Sequence, residues 1–555
     1  MKQIFSYLYA GLIFVNLYSC NNNPQEKIEI LQDTISYVSK VWVADNGDGT
    51  YKNPILFADY SDPDAIRIGD DFFMTASSFN SSPALPILHS KDLVNWKIVN
   101  HALPKQTEAV YNLPQHGKGV WAPSMVYHDK ELRIYYGDPD YGVYMLKTKD
   151  PFGKWEEPVL IMKAKGIIDP TVLFDDDGKV YMTIAWAGSR AGMNSILTVY
   201  PLNADGTKVV GEGKHVFDGH EKHHTVEGPK LFKRNGYYYI SAPAGGVETG
   251  WQLILRSKNI YGPYEEKVVL HQGNTQINGP HQGSLAETAQ GETWFIHFQD
   301  RGVYGRILHL QPVEWKDGWP LIGKDINNDG IGEPVLSYKK PNIGKNYPIN
   351  TPQEDDEFNT DRLGLQWQWH ANEDIRWSVN LANTGYLRLL AIPMPAETKN
   401  LWNIPHLLLQ KFPAEGFTAT TKVKLTIEWD VWQSKKAGLL VMGNDYSYLS
   451  IQKDAKGYLV NQMVCFDAAN GTGEKSNAIQ RLKSNEVYLR VKIKSSDARC
   501  QFSYSEDGVN FNDIGPEFQA KPDKWIGAKT GIFAASDSDV RIGGYADFDW
   551  FRITK

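Results

Sequence analysis

Three acidic residues open strand-like segments of this sequence and carry the chemistry it can do. They are Asp62 in Asp62-Pro63-Asp64-Ala65-Ile66, Asp169 in Asp169-Pro170-Thr171-Val172 and Glu227 in Glu227-Gly228-Pro229-Lys230-Leu231. Gathered in one pocket, three carboxylates repel one another, so at least one must have a raised pKa. A protonated acid beside an ionised base is the pair that glycoside hydrolysis needs. One group protonates the leaving oxygen, and the other activates water or attacks carbon. Taken singly, each acid reads as a turn former, because Asp-Pro and Glu-Gly are common in turns. Most of the 65 Asp and Glu serve structure or solvation. Recurrence at one phase of a repeat sets these three apart.

The repeat runs from about residue 62 to residue 323. Each unit has a short apolar strand, a polar turn, an aromatic strand and a longer return. The other two openings are Trp121-Ala122-Pro123-Ser124-Met125 and Pro280-His281-Gln282-Gly283-Ser284-Leu285. Hairpin turns such as Gly69-Asp70-Asp71 and Arg234-Asn235-Gly236 lead into Phe72-Phe73-Met74 and Tyr237-Tyr238-Tyr239. An outer motif recurs in register: Ser90-Lys91-Asp92-Leu93-Val94-Asn95-Trp96, then Thr148 to Trp155, then Ser257 to Tyr264. Prolines 63, 123, 170, 229 and 280 mark intervals of 60, 47, 59 and 51 residues, enough for four strands plus loops. The expectation is an all-β chain, a five-bladed β-propeller followed by a C-terminal β-sandwich. A sandwich alone would not repeat the outer motif in register. The propeller is expected over residues 41–340, a Pro-rich polar linker over 341–354 and the sandwich over 355–555, where Tyr386-Leu387-Arg388-Leu389 and Tyr488 to Ile493 alternate with period two. In a propeller the first strand of each blade is innermost, so acids remote in sequence converge at one end of the channel.

Composition agrees with a folded, exported β protein. The 555 residues exceed what one core serves, 42% are hydrophobic, and aromatics reach 12% with 17 Trp and 29 Tyr. A net charge of −7 argues against a nucleic-acid partner. Residues 1–19 read as a lipoprotein-type signal: Lys2, an apolar run too short to span a bilayer, then Leu17-Tyr18-Ser19-Cys20. Cys20 is expected to carry the lipid anchor, residues 20–40 to form a tether, and the protein to face the periplasm; an ordinary secretory signal is the alternative. Cys465 and Cys500 lie in strand-like segments, where a bridge and two buried thiols are both open.

Two motifs are set aside. His220-Glu221-Lys222-His223-His224 matches the zinc-protease pattern, but no amphipathic helix surrounds it to bring its histidines to one face, so a loop entering blade 4 is expected and no metal centre. Asp325-Ile326-Asn327-Asn328-Asp329-Gly330 starts like a calcium loop, yet Leu336 stands where the bidentate Glu belongs. A polar loop is favoured there, with a structural calcium ion as the alternative. No cofactor is required.

The openings, together with Ile66-Arg67-Ile68-Gly69-Asp70-Asp71, Gly279-Pro280-His281-Gln282-Gly283 and Gln311-Pro312-Val313-Glu314-Trp315, resemble glycoside hydrolase family 43. The resemblance extends to the terminal Tyr545-Ala546-Asp547-Phe548-Asp549 strand found in members with an appended sandwich. It implies inversion at the anomeric carbon, with Asp62 as general base, Glu227 as general acid and Asp169 as the residue that raises the acid's pKa and orients it. It also implies that Arg306 grips the sugar, Trp121 walls the pocket and His281 sits near the axis. From the residues alone, Trp121 serves equally as blade packing, and Arg306 as an ion-paired residue. Inversion asks for working carboxylates about 6.5–9.5 Å apart, which acids on blades facing each other across the axis can provide. The expected activity is an exo-acting α-L-arabinofuranosidase on hemicellulosic oligosaccharide or polysaccharide, with β-D-xylosidase or both activities as the alternative. A fructan-cleaving propeller enzyme is disfavoured because Ile168 precedes Asp169 and Gly228 follows Glu227. A sugar-binding lipoprotein without catalysis is disfavoured because all three acids are present.

Overall fold

The computed structural model describes residues 36–395, 398–427, 435–495, 497–537 and 543–555. The expected export signal, Cys20 and most of the expected tether lie outside the described residues. Each of the five repeats folds as a four-stranded antiparallel sheet in simple chain order. The first strands are Asp64–Ile68, Trp121–His128, Ile167–Phe174, Lys230–Arg234 and His281–Glu287.

These sheets are buried on both faces, which is why their second strands read as unbroken apolar runs rather than alternating ones. Phe73 of blade 1 packs with Met125 and Ile134 of blade 2. Its neighbour Phe72, pointing the other way, packs with Met74 against Trp294, Ile296 and Phe298 of blade 5. That last contact closes the ring. Around the channel the inner strands are tied by polar bonds: Ser284 Oγ accepts from Ala65 N at 2.8 Å, and Asp64 Oδ2 from Met125 N at 2.5 Å. The outer motif repeats because it caps a turn. Asp92 Oδ1 accepts from Val94 N at 3.0 Å and Asn95 N at 2.8 Å, while the buried Trp96 donates Nε1–H to Leu93 O at 2.8 Å.

The second domain is a sandwich of two eight-stranded sheets among the described residues. Alternate residues of Tyr386–Leu390, Phe417–Ile427 and Glu486–Ile493 point inward as Leu387, Leu389, Val423, Leu425, Val487, Leu489 and Val491. Cys465 ends a strand of one sheet and Cys500 lies in the other; both are buried and free, and burial pushes the Cys500 thiol up to about 12.

Candidate active site

At each blade opening the chain passes through a residue with positive φ: Asp62 (56°), Ala122 (32°), Asp169 (55°), Gly228 (57°) and Gln282 (37°). In four blades proline follows, which lacks the N–H a strand ladder would use. The ladder skips there in blades 2, 3 and 5, between Trp121 and Ser124, Ile168 and Thr171, and His281 and Gly283. The kinks place the site residues at two neighbouring positions. Asp62 and Asp169 stand at the kink, whereas Trp121, Glu227 and His281 stand one residue before it. One common phase for the three acids was expected; Glu227 is in fact one residue early. In blade 5 the kink falls at Gln282, two residues past Pro280. Left-handed backbone at a residue other than glycine costs roughly 1–3 kcal/mol, least for Asp and Asn, and such strain gathers at functional sites. Gly228 has a second reason to be glycine, since a Cβ there would lie 2.7 Å from Gln282 Cδ.

Asp62 is buried and saturated with donors. Its Oδ2 accepts from Ser61 Oγ at 2.7 Å and Ser77 Oγ at 2.6 Å, and its Oδ1 from Arg306 Nη1 at 3.0 Å. The same Ser77 Oγ accepts from Ala122 N at 2.7 Å, fixing the blade 2 kink against blade 1. Two hydroxyls and a guanidinium thus fix the orientation of this carboxylate.

Asp169 has the opposite surroundings. Its Oδ2 accepts from Gly228 N at 2.7 Å, a single backbone donor. Burial first, then the Glu227 and Asp62 carboxylates, push it well above the usual carboxylate range. Both carboxylates are thus near enough to act on Asp169, which places the three acids around one pocket. Glu227 is the most accessible, with 34% of its side chain exposed, and its Oε1 lies 3.8 Å from His281 Nε2. The His281 ring is fully buried, and neither of its nitrogens has a protein hydrogen-bond partner.

Arg306 donates to Ser61 Oγ at 2.6 Å as well as to Asp62, and its guanidinium lies 4.7 Å from the Phe298 ring centre. Trp121 packs at 6.1 Å from Phe79. The sequence reading missed a third aromatic, Trp525, which comes from the sandwich. Its ring is 6.3 Å from Trp121, edge to face, and 5.9 Å from the Arg306 guanidinium. At 47% exposure it presents a large apolar face at the mouth of the propeller. The loop that carries it is pinned on both sides. Asp523 Oδ2 pairs with His116 Nδ1 at 2.7 Å, and Gly527 N donates to Asp59 Oδ2 at 2.9 Å. Asp59 Oδ1 accepts from Arg306 N at 2.9 Å, so one carboxylate joins the sandwich loop to the arginine. The backbones approach so closely that a Cβ on Gly527 would lie 2.6 Å from Gly305 N. The one signal in the sequence was an aromatic residue set in the polar stretch Pro522-Asp523-Lys524-Trp525.

The site thus unites Asp62, Trp121, Asp169, Glu227, His281 and Arg306, with Ser61, Ser77 and Trp525 added. The description "Glycosyl hydrolases family 43" matches residues 51–320, and "Beta xylosidase C-terminal Concanavalin A-like domain" matches residues 355–554. A β-xylosidase of Formosa agariphila is 33% identical over 97% of this chain and 96% of its own length. The chain belongs to glycoside hydrolase family 43. Another relative of this family 43 chain is a non-reducing end α-L-arabinofuranosidase of Bacteroides ovatus, 28% identical over 90% of the chain and 94% of its own length. Among solved structures, a family 43 protein of Bacillus licheniformis, BlXynB, superposes with a TM-score of 0.77 at 28% identity, covering 91% of this chain and 99% of its own. As a member, the protein is a glycosidase.

In this family 43 glycosidase the zinc-protease pattern is a turn and not a helix. Asp218 Oδ1 takes the His220 N–H at 3.0 Å, and His223 Nδ1 accepts from Trp251 Nε1 at 3.2 Å. The loop at residues 325–330 folds on itself: Asp325 accepts from Asp329 N at 3.1 Å and Gly330 N at 3.0 Å. His116, His370 and Asp523 lie together with ligand-like spacing. Both His116 nitrogens are engaged, with Asp523 and with Trp402 O at 2.9 Å, and His370 Nδ1 bonds Ile404 O at 3.0 Å. The two bonds of His116 join the propeller to the sandwich, and that of His370 lies within the sandwich.

Proposed function

We propose that the protein is an exo-acting, inverting glycosidase that releases a terminal β-D-xylosyl residue from xylan-type oligosaccharides. The unequal surroundings of its carboxylates support this reading most. Asp62, oriented by Arg306 and two hydroxyls, takes a proton from water as that water attacks the anomeric carbon. Burial, then the neighbouring carboxylates, favours a proton on Asp169 beside Glu227, and the accessible Glu227 donates a proton to the departing glycosidic oxygen. Asp169 acts through Glu227 and is a positioning residue. Water enters from the face opposite the leaving group, so the configuration inverts.

This reading puts the xyloside, the alternative expected from the sequence, ahead of the arabinofuranoside. The relative named β-xylosidase is more similar than the one named arabinofuranosidase. The second name keeps arabinofuranoside as the alternative substrate. Nitrophenyl β-D-xyloside and nitrophenyl α-L-arabinofuranoside, tested side by side, are expected to give the larger kcat/KM for the xyloside. The reverse ranking would return the assignment to arabinofuranosidase. Proton NMR of the first-formed sugar from xylobiose should show the α anomer; a β anomer would end the inverting mechanism.

Trp121 and Trp525 offer apolar faces to a sugar ring, and the wall supplied by the sandwich suits removal of end groups over attack within a chain. Trp525→Ala is expected to lower kcat/KM about tenfold, mostly through KM, about 1.4 kcal/mol of binding. A kcat-only loss would mean that the ring does not contact substrate.

A further inference from the structure

A second cavity lies where the chain entering the propeller, blade 1 and the sandwich meet. Its interior leaves about 60 Å³ for the centres of water-sized groups, and none of the six site residues lines it. Its walls are largely apolar, with Trp42, Phe57, Tyr60 and Ile98 among them. Most polar side chains in its lining are hydrogen-bonded, such as Asn95, Gln353, Glu354 and Gln368, but three groups of Gln366, Gln410 and Lys411 are not. Gln410 is only 5% exposed, yet its Nε2 donates to no protein group. Lys411, next in the strand, has no ion pair or hydrogen bond among the described residues; its Nζ sits 5.3 Å from the centre of the Tyr60 ring. On the facing segment, Gln366 Nε2 donates to Asp355 O at 3.0 Å while its Oε1 is buried with no donor.

Buried polar groups are normally satisfied, and leaving one bare costs about 1–3 kcal/mol. The chemistry of these three specifies what would satisfy them. Burial pushes the Lys411 amine below its usual range, so it and the amide N–H ask for an anionic acceptor that favours the charged form, and a carbonyl oxygen asks for a hydroxyl. Aromatic walls suit the C–H face of a small ring. The Asp59 carboxylate acts on Lys411 without pairing with it, and the other two titratable neighbours add no negative charge. Burial and the Lys411 charge push His101 down to about 3, so it is neutral, and burial pushes Glu354 up to about 8, so it holds a proton at neutral pH. Glu354 is already engaged by Ser39 Oγ at 2.7 and 2.9 Å.

We propose that this interdomain cavity binds a monosaccharide-sized hydroxy-carboxylate, a sugar acid, with its carboxylate on Lys411 and Gln410 and a hydroxyl on Gln366. Both domains contribute to the walls, so a ligand here stabilises their junction by mass action. D-Glucuronate is the probe. It is expected to bind the full chain saturably by calorimetry and to raise Tm with concentration, while D-xylose at equal concentration raises it less. Lys411→Met should weaken D-glucuronate at least tenfold and leave kcat/KM on nitrophenyl β-D-xyloside unchanged. Gln410→Leu should weaken it severalfold, and carries the test if the lysine variant fails to fold. The proposal is overturned by absence of saturable binding, by binding unchanged in a folded variant, or by purely competitive inhibition with that same affinity, which would put the ligand among the carboxylates. Its failure would leave the glycosidase reading intact, because that reading rests on other residues.

Discussion

Asp62→Asn is expected to cut turnover of xylobiose and of an activated aryl xyloside alike, by about 10⁴-fold, because no leaving group removes the need for a base. Asn suits the test, since it tolerates the 56° φ at this position and can still accept from Ser61 and Ser77. What it lacks is the charge that Arg306 faces and the basicity that water needs. Glu227→Gln should behave differently. Its loss on xylobiose should be about 10³-fold, but only about tenfold on a dinitrophenyl xyloside, whose leaving group departs without protonation. Equal losses for both variants on both substrates would show that the acid and base roles are assigned wrongly.

Asp169→Asn should impair activity and raise stability together. Burial, then Glu227 and Asp62, raise the folded-state pKa of Asp169 above its unfolded value. Its contribution to stability is therefore whole below the unfolded value, near 3.9, and is lost as pH rises toward the folded one, at about 1.4 kcal/mol per unit of separation. Asn carries no charge to lose, and its carbonyl can keep the bond from Gly228 N. The variant should melt several degrees above the parent at pH 7, with the difference shrinking toward zero near pH 4. Its kcat on xylobiose should fall about 10²–10³-fold, because the proton held beside Glu227 is gone. A variant less stable than the parent at pH 7 would mean that the hydrogen bond outweighs the repulsion.

Much of this was readable from the chain because a propeller writes itself periodically. The turn-and-aromatic pattern repeats, and each blade must bury both faces, so Phe72-Phe73-Met74 and Tyr237-Tyr238-Tyr239 stand out against the alternating strands of the sandwich. The acids were visible because each adjoins a kink marked by proline. Their exact phase was not. A positive φ at Gly228 and at Asp169 looks alike in structure, but it sits under a glycine in one blade and under the acid itself in another. The free state of Cys465 and Cys500 was likewise undecided until each was placed in its own sheet.

Sequence alone determined the ring of five blades and the appended sandwich and singled out three acids as candidates, because local periodicity and turn chemistry are encoded within a few residues of one another. Tertiary structure alone decided which acid is saturated with donors and which is crowded by its neighbours, and that Trp525 reaches the mouth across more than four hundred residues from Trp121. Charge environments and interdomain walls are sums over groups distant in the chain, and only the folded backbone brings those groups within a few ångströms.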